Sequence, residues 1–311
     1  VYGRIDQDID RAIELLEKAR ETTLAENNKS HINLYVALGI KSRACLAEGD
    51  WDGAFKAAKR VIDEGGYAVG TKSDLTGGMN SLDKQNVMWG AGIQVADQAG
   101  GYAGFFTHMD NKEGDYAKSA PKLISKQLYN RISATDIRRD WWDPSDKESP
   151  YVSKKFSFAN VASFLGDYIY MRVEEMYFTA AEAALRLDDL KSARELMNTV
   201  MAERDPGYSA NNRSGTLLGA TTTTWTGSFL ENILTHRRIE LWGEYGRLFD
   251  VRRLGQGIDR RTDDGFSEEC ISMMNRRNVN ITKADTYDWV LTIPKAELDA
   301  NPNINEEDQN P

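Results

Sequence analysis

Charged side chains crowd among large apolar ones in the segment ILTHRRIELWGEYGRLFDVRRLG, residues 233–255. Two of its glutamates, Glu240 and Glu244, lie four residues apart and could form a catalytic carboxylate pair. On one α-helix these glutamates would share a face with Arg237 and Arg247, all within about 80° of each other. Neighbouring arginines lower the pKa of a carboxyl group, which suits ion pairing better than proton donation. The segment therefore favours a structural ion-pair network over catalysis.

A second segment offers partners for these charges. In YMRVEEMYFTAAEAA, residues 170–184, the side chains of Arg172, Glu175 and Glu182 fall on one face of a predicted helix. Two helices that carry charges beside apolar stripes can pair with each other through buried ion pairs. Breaking such a network destabilises a protein strongly, even where its net contribution is small. We therefore expect this helix to lie against the segment 233–255.

Motifs for metal or nucleotide chemistry are missing from the sequence. The three histidines, His31, His108 and His236, do not have the paired spacing of zinc ligands. The acidic loops at 110–115 and 263–269 lack the ligand spacing of a calcium loop. No G-x-S-x-G, Walker or G-x-G-x-x-G motif is present. The sequence therefore predicts neither a bound metal nor a cofactor.

Composition excludes several broad classes of protein. The chain has 311 residues, a net charge of -9 and a pI of about 5.1, which argues against a nucleic-acid binder because phosphates require a basic face. Two cysteines are too few for a disulfide scaffold, and Cys45 lies in an apolar helical pattern that places it in the core. No apolar run approaches the roughly 20 residues of a membrane span. The sequence opens on VYGRIDQDID, a helical pattern without a signal peptide, as expected for a cytosolic protein or for a processed or truncated form.

Helical periodicity is strong on both sides of an irregular central region. The pattern predicts helices at 4–19, 30–48, 51–65, 168–186, 189–204 and 228–245. Ser30 is a plausible N-cap for the second of these helices. Short GD and DD turns join pairs of helices into hairpins that resemble tetratricopeptide repeats. The sequence therefore predicts a mostly α fold with a helical scaffold at 1–66 and 167–255.

The central region loses this periodicity and is rich in glycine and aromatic residues. Within it, NVMWGAGI at 86–93 predicts a short strand, and APKLISKQLYNRI at 120–132 predicts a short helix. Residues 67–166, together with the tail 256–311, are expected to form a loop-rich lobe of a single domain that spans 1–311. Long loops inside a compact domain usually carry function.

Several motifs, in order along the chain, resemble those of the SusD/RagB family. They are the early segments VYGRIDQDIDRAIELL and LAEGDWDGAFKAAKRVID, then R-x-x-E-x(5)-AE from Arg172 to Glu182, R-x-x-EL-x-x-E-x-x-R-x-FD from Arg237 to Asp250 with RR-x-G next, and the ending IPKAELDANPNINEEDQNP. The resemblance covers nearly the whole chain. The family's lipoprotein signal and a substantial N-terminal region are expected to be missing from this sequence.

The resemblance implies both a fold and a function. Members of this family have an α-helical fold, with tetratricopeptide-like hairpins as the scaffold and an irregular, loop-rich lobe that bears the ligand site. They are lipid-anchored on the outer face of the Gram-negative outer membrane, bind glycans or in some cases peptides, and cover a SusC-type TonB-dependent transporter. They are not enzymes. The resemblance therefore implies a non-catalytic protein whose partners are a glycan and a SusC-like transporter, with a lipid anchor that is not present in this chain.

Aromatic residues of the central region are the candidates for sugar contacts. Flat aromatic faces stack on the C–H surfaces of pyranose rings, and polar groups around them hold the hydroxyls. Because the family's ligand site draws on loops of this stretch, we predict a site formed by Tyr102, Phe105, Phe106, His108, Asp110, Asn111, Trp141 and Trp142. Packing into the lobe's own core is the open alternative for these aromatics, and it is the favoured one for Trp89. Trp225, in the loop sequence TTTTWTG, is a further candidate.

Three functions remain open at this point. The leading prediction is a cell-surface protein that captures an oligosaccharide and delivers it to the transporter. The competing prediction is a helical-repeat scaffold that binds a peptide or a protein, with the aromatics in its core. A third is an α-helical carbohydrate-active enzyme, which would need two carboxylates about 5–9.5 Å apart across a sugar cleft. Asp110, Glu113 and Asp143 are the residues that would test it.

Overall fold

The structure, a computed structural model, describes residues 2–20, 28–97, 104–213, 227–258 and 290–309. The chain divides into two compact units, of which the first contains residues 1–220 and 225–247 and the second contains residues 221–224 and 248–311. The predicted division of a single domain into a helical scaffold and a loop-rich lobe stays a prediction.

Helices dominate the first unit. Its described helices are α1 (Tyr2–Arg20), α2 (Leu34–Glu48), α3 (Trp51–Glu64), α4 (Lys72–Leu75), α5 (Phe105–Met109), α6 (Asp115–Ser119), α7 (Lys126–Tyr129), α8 (Val173–Arg186), α9 (Leu190–Ala202) and α10 (Phe229–Glu240). Two antiparallel pairs join the strands β1 (Val87–Ala91) with β4 (Tyr168–Arg172), and β2 (Trp142–Asp143) with β3 (Val152–Ser153). Further along the chain are α11 (Arg247–Arg253) and α12 (Lys295–Ala300). None of the described helices is both long and apolar enough to cross a membrane. The predicted mostly α fold is confirmed.

Two helical hairpins, α2–α3 and α8–α9, form the scaffold of the first unit. Helix α3 packs against both α2 and α8, and α8 also packs against α9. The small side chains of Ala54 and Ala183 are buried beside Cys45. Cys45 is 2% exposed, which confirms its predicted place in the core, and burial raises the pKa of its thiol to about 12. Cys270 lies outside the described residues.

Side-chain caps and a glycine set the ends of the first hairpin. The predicted cap Ser30 is wrong, because α2 begins after Asn33, whose side chain accepts a hydrogen bond from the backbone N–H of the first turn. Gly49 ends α2 with φ of 90°, a left-handed conformation that glycine adopts without a Cβ clash. Asp50 then caps α3 by accepting from the N–H of Gly53 at 3.0 Å.

The predicted helix at 168–186 is wrong over its first five residues, which form β4. In this strand, Ile169 lies opposite Gly90 of β1, and the helix begins only at Val173. The two strands approach so closely at Gly90 that a Cβ there would lie 2.2 Å from the carbonyl oxygen of Tyr168. Cross-strand pairing therefore overrides the helical pattern and directs alternate side chains of 168–172 to opposite faces.

The predicted helix at 228–245 is also too long, because α10 ends at Glu240. The chain turns through Gly243 and Gly246, whose φ values of 75° and 113° lie in the left-handed region that favours glycine. Glu244 therefore lies in a turn and does not share a helix face with Glu240.

The central region builds a core of its own. Its buried apolar side chains are Leu75, Met79, Phe106, Ile124, Leu128, Tyr129, Ile132, Trp141, Trp142, Phe156 and Phe158, which are joined by Ile239 of α10. Phe105 and Tyr168 are partly buried and pack against this cluster. Many aromatics of the region are thus used to hold it together.

Candidate ligand-binding site

An open pocket of about 570 Å³ lies in the first unit. Its volume falls in the range of about 300–1,000 Å³ that is usual for small-molecule sites. The β1–β4 pair and the turn after α10 supply much of its wall. Six of its lining residues are aromatic: Trp89, Phe105, Phe156, Tyr168, Tyr170 and Tyr245.

Two of these aromatics are exposed to solvent, and Trp89, which is half-buried, lies beside one of them. Strand pairing sets Tyr170 beside Trp89, with ring centroids 5.1 Å apart and an angle of 71° between the rings. Tyr170 is 41% exposed, and Tyr245, which lies between Gly243 and Gly246, is 38% exposed. Trp89 is half-buried. Aromatic faces that line a pocket and remain exposed are available to stack on a ligand.

The other three aromatics form a rigid base. Phe105 packs edge-on against Phe156, with ring centroids 5.3 Å apart. The backbone N–H of Phe105 donates a hydrogen bond to the hydroxyl oxygen of Tyr168 at 3.1 Å. These contacts rest on the core of the central region, so the base of the pocket is fixed before any ligand arrives.

Arg43, from α2, connects the two exposed tyrosines. Its Nη2 donates to the backbone carbonyl of Tyr170 at 2.7 Å, and its guanidinium carbon lies 3.8 Å from the ring centroid of Tyr245. The same guanidinium makes a bidentate pair with Glu175, at 2.9 Å and 2.6 Å. Because a planar fork holds all three groups at once, Arg43 ties the ring of Tyr245 to the backbone of Tyr170.

Glu244 places a carboxylate on the pocket wall. Its Oε2 accepts from Nε of Arg172 at 2.7 Å, and its Oε1 accepts from Nη2 of Arg172 at 2.8 Å and from Nζ of Lys155 at 2.5 Å. Burial alone would raise the pKa of Glu244, but the charges of Arg172 and Lys155 outweigh it and hold the pKa below its usual value. Glu244 therefore stays ionised.

Lys155 anchors the turn that carries Tyr245. Besides Glu244, its Nζ donates to the backbone carbonyls of Glu240 at 2.7 Å and Trp242 at 2.8 Å. Burial lowers the pKa of Lys155 to about 8, against the opposing effect of Glu244. The position of the turn therefore depends on a buried ammonium group.

Glu240 is the centre of a buried ion-pair network behind the pocket. It pairs with Arg138, Arg172 and Arg204 at 3.1, 3.0 and 2.9 Å, and all four side chains are fully buried. Burial would raise the pKa of Glu240, but these arginines hold it well below its usual range. The predicted pairing of Arg172 with the segment 233–255 is confirmed. A carboxylate that is held ionised in this way is suited to a structural role and not to proton donation.

Comparison with known proteins identifies the family. The SusD family's sequence profile matches residues 106–311, about two thirds of the chain. The chain belongs to the SusD family. No curated protein gives a significant match to the sequence.

Solved structures share the SusD-like fold. A SusD-like carbohydrate binding protein from Bacteroides vulgatus is 25% identical, with a TM-score of 0.70 over 95% of this chain and 64% of that one. A SusD superfamily protein from the same organism is 20% identical, with a TM-score of 0.75 over 98% and 65% of the two chains. Surface glycan-binding protein A from Bacteroides thetaiotaomicron, in complex with laminarihexaose, is 15% identical, with a TM-score of 0.64 over 98% and 70%. The chain thus spans just under two thirds of the first two proteins, and the likenesses confirm the predicted fold with tetratricopeptide-like hairpins.

Three of the predicted contact residues lie in the core of this SusD-family chain. Phe106, Trp141 and Trp142 are 1%, 2% and 1% exposed. The indole N–H of Trp141 donates to the backbone carbonyl of Leu75 at 2.9 Å. For these residues the structure favours the core-packing alternative, because their faces are covered by other side chains.

Two predicted polar contacts are used in holding loops together. Asp110 is buried and accepts three backbone N–H bonds, including one from Phe158 at 3.0 Å. The side chain of Asn111 bonds to the backbones of Lys122 and Ser153. Their polar atoms are therefore committed to the fold of the SusD-like chain.

The remaining predicted residues have different positions. Phe105 lines the pocket. His108 is exposed and stacks on Tyr116 with ring centroids 4.6 Å apart, but it is not among the residues that line the pocket. Tyr102 and the further candidate Trp225 lie outside the described residues.

Sequence reasoning missed most of the pocket. Tyr170 and Tyr245 fell inside predicted helices, and Trp89 was favoured as a core residue. Two signals could have found them: the alternation of YIYMR at 168–172, which is typical of a strand, and the glycines on either side of Tyr245. The contribution of Arg43 depends on tertiary packing and has no local signal.

Changing Gly243 to alanine should lower the free energy of unfolding by about 1–3 kcal/mol. A Cβ there would lie 2.6 Å from the ring of Phe156, and the residue has φ of 75°. Urea denaturation measures the loss. The matched control is Gly66→Ala, which has a similar φ of 71° but no atom within 4 Å of the added Cβ. Equal losses in the two variants would show that backbone strain, and not contact with the pocket base, makes the glycine necessary.

Proposed function

We propose that this protein binds a glycan in the pocket lined by Trp89, Tyr170 and Tyr245. The observation that carries the proposal is a pair of exposed tyrosine rings, with the half-buried ring of Trp89, on the wall of one pocket. Such faces suit the C–H surfaces of pyranose rings, and Arg43 and Glu244 supply polar groups for hydroxyls. Phe105 is the predicted contact residue that the proposal retains.

The relatives support a carbohydrate ligand. The Bacteroides vulgatus protein that is 25% identical is described as carbohydrate binding. The more distant surface glycan-binding protein A was solved with laminarihexaose. We carry the class of ligand over to this chain, and laminarin is accordingly the first polysaccharide to test.

The proposal is binding without catalysis. Glycoside hydrolysis requires a carboxylic acid whose pKa is high enough to donate a proton. In the proposed site the carboxylate is Glu244, whose pKa is held below its usual value by Arg172 and Lys155 despite its burial. The acid–base chemistry of hydrolysis has no support at this position.

The proposed role continues beyond the pocket. As a SusD-family protein, it would present captured glycan to a SusC-like TonB-dependent transporter at the extracellular face of the outer membrane, where a lipid anchor would hold the full-length protein. Family membership supports this part of the proposal. Co-purification of the full-length protein with a transporter from native membranes would test it.

Changing Trp89, Tyr170 or Tyr245 singly to alanine should weaken glycan binding by about tenfold or more, equivalent to about 1.4 kcal/mol. Each change removes one stacking face. Affinity electrophoresis against laminarin, amylopectin and galactomannan detects the interaction, and isothermal titration with the polymer that binds gives the dissociation constant.

Tyr116→Ala is the matched control for the two tyrosine variants. The exposed fraction of Tyr116, 44%, is similar to those of Tyr170 and Tyr245. Tyr116 instead stacks on His108 and does not line the pocket. Binding that survives in Tyr116→Ala and is lost in folded pocket variants would support the site. Binding lost in Tyr116→Ala alone would move the site to the predicted loop. Failure of the parent to bind any glycan would favour a peptide ligand.

A further inference from the structure

We infer that the pocket selects a neutral glycan and disfavours chains that carry carboxylate or sulfate groups. This inference rests on the proposed glycan binding and narrows the class of ligand. Of the described residues that line the pocket, two are charged, Arg43 and Glu244. An acidic ligand needs a cation that is available to pair with it. Whether the pocket can bind an acidic ligand therefore depends on the ion pairs that Arg43 and Glu244 already make.

Arg43 is already engaged by a buried carboxylate. Its side chain is 13% exposed and that of its partner Glu175 is 2% exposed. If Arg43 turned to a ligand anion, Glu175 would keep only its longer contact with Arg237, at 3.5 Å, among the ion pairs that the structure describes. Weakening one partner of a buried pair is costly because the other charge stays desolvated. Arg43 is therefore poorly placed to receive an anion.

Glu244 adds a negative charge to the same wall. Its side chain is only 9% exposed, and its pairs with Arg172 and Lys155 keep it ionised. The cations that balance Glu244, Arg172 and Lys155, have fully buried side chains and are already paired with it, so a ligand carboxylate or sulfate would find no available cation on this wall. The net charge of the whole chain, -9, acts in the same direction at longer range.

A neutral sugar can use the same carboxylate. A carboxylate has about four acceptor positions, and N–H groups of Arg172 and Lys155 fill three of them in Glu244. A sugar hydroxyl can donate to the remaining position, whereas an ionised carboxylate or sulfate has no hydrogen to donate. The negative faces of the aromatic rings likewise attract C–H groups and not anions.

Matched polymers test the inference directly. Laminarin, amylopectin and galactomannan are each compared with a carboxymethylated and a hydroxyethylated derivative, substituted to the same degree. The hydroxyethyl group is similar in size and uncharged, so it separates charge from bulk. We expect a neutral parent polymer to bind, its hydroxyethyl form to bind comparably, and its carboxymethyl form to bind about tenfold more weakly at low ionic strength.

The outcomes separate this inference from the proposed function. Equal or tighter binding of a carboxymethylated polymer, abolished by Trp89→Ala, would overturn selection against charge and leave glycan binding intact. Equal weakening by both substituents would overturn it as well, because bulk would then explain the effect. Binding of no polymer in any form would overturn both.

A charge-neutral variant gives an independent readout. Glu244→Gln keeps the shape of the side chain and removes its negative charge, so the ratio of neutral to carboxymethylated affinity should fall toward one. Thermal melting checks that the variant is folded. In the parent, added salt should improve binding of the carboxymethylated polymer and leave the neutral one unchanged, since salt screens repulsion between charges. If the ratio of neutral to carboxymethylated affinity stayed the same both in Glu244→Gln and with added salt, the inference would be contradicted.

Discussion

Replacing Glu240 with glutamine should lower the free energy of unfolding by about 3–5 kcal/mol. Glutamine nearly matches glutamate in shape, so the loss reports charge and not packing. Glu240 lies between Arg138, Arg172 and Arg204, with closest contacts of 3.1, 3.0 and 2.9 Å, and all four side chains are fully buried. An amide cannot balance these guanidinium groups, which remain desolvated and short of a counter-charge. Urea denaturation at neutral pH measures the effect.

Lowering the pH should remove the stability that the charge of Glu240 contributes to the parent protein. In the folded state the arginines hold the pKa of Glu240 well below its ordinary value of 4.5, against the opposing effect of burial. The unfolded chain therefore binds a proton at a pH where the folded protein does not. The stability contributed by Glu240 is complete above about pH 4.5 and is lost as the pH falls toward the depressed folded-state pKa. Over that interval the parent should lose more stability than Glu240→Gln.

An exposed ion pair provides the control. Glu195 lies 3.8 Å from Lys191, and their side chains are 65% and 85% exposed, so Glu195→Gln should change stability little. If Glu240→Gln cost no more than this control, or kept the parent's full dependence on acid, the network would not have the structural role assigned to it.

The sequence predicted this network in part. The spacing of charges in two segments, and their position beside apolar stripes, predicted that residues 170–184 would pair with 233–255, and in the structure Arg172 pairs with Glu240 and Glu244. The other cations, Arg138, Lys155 and Arg204, come from segments that only tertiary packing brings to the same place. Charge patterning within one helix carries no information about such distant partners.

Two element boundaries failed for a related reason. The residues of 168–172 fit a helical pattern because α8 follows directly, but pairing with β1 determines their conformation. The run 228–245 fits one helix because apolar residues continue beyond Glu240, and only the two glycines at 243 and 246 signal the turn. Long periodic segments identified the helices, whereas their ends depended on contacts with other elements.

The candidate site was the least predictable feature. Composition correctly marks the central region as rich in aromatics, but a tryptophan in a core and one on a pocket wall look alike in sequence. Trp89 and Trp142 differ in what covers them, and that depends on strand pairing and on helices distant in the chain. Core or surface placement of an irregular region therefore requires the folded structure.

The pocket and the ion-pair network are physically connected. Lys155 holds the turn after α10 through two backbone carbonyls, and it pairs with Glu244 on the pocket wall. Arg172 joins Glu244 to Glu240 in the network behind. Buried charges thus position Tyr245, so variants of the network should be tested for folding before any loss of binding is assigned to a contact.

Changing Trp142 to alanine should lower the free energy of unfolding by about 3–5 kcal/mol, as expected for removal of a large side chain from a packed core. Trp142 is 1% exposed and packs edge-on against Trp141 and Trp242, with ring centroids 5.8 and 5.7 Å apart. Its removal leaves a cavity that the surrounding rings cannot fill. Chemical denaturation measures the loss.

Glycan affinity in the same variant separates a core residue from a contact residue. Trp142 does not line the pocket, and Trp242, which it touches, stacks on the pocket residue Phe156 with ring centroids 6.5 Å apart. Under conditions where Trp142→Ala is fully folded, its dissociation constant should stay within a few-fold of the parent's, and Trp142→Phe should recover part of the lost stability because it fills part of the cavity. The opposite pattern, with stability unchanged and binding abolished, would make Trp142 a sugar-contact residue, as the sequence predicted. The pocket beside Trp89 would then not be the binding site.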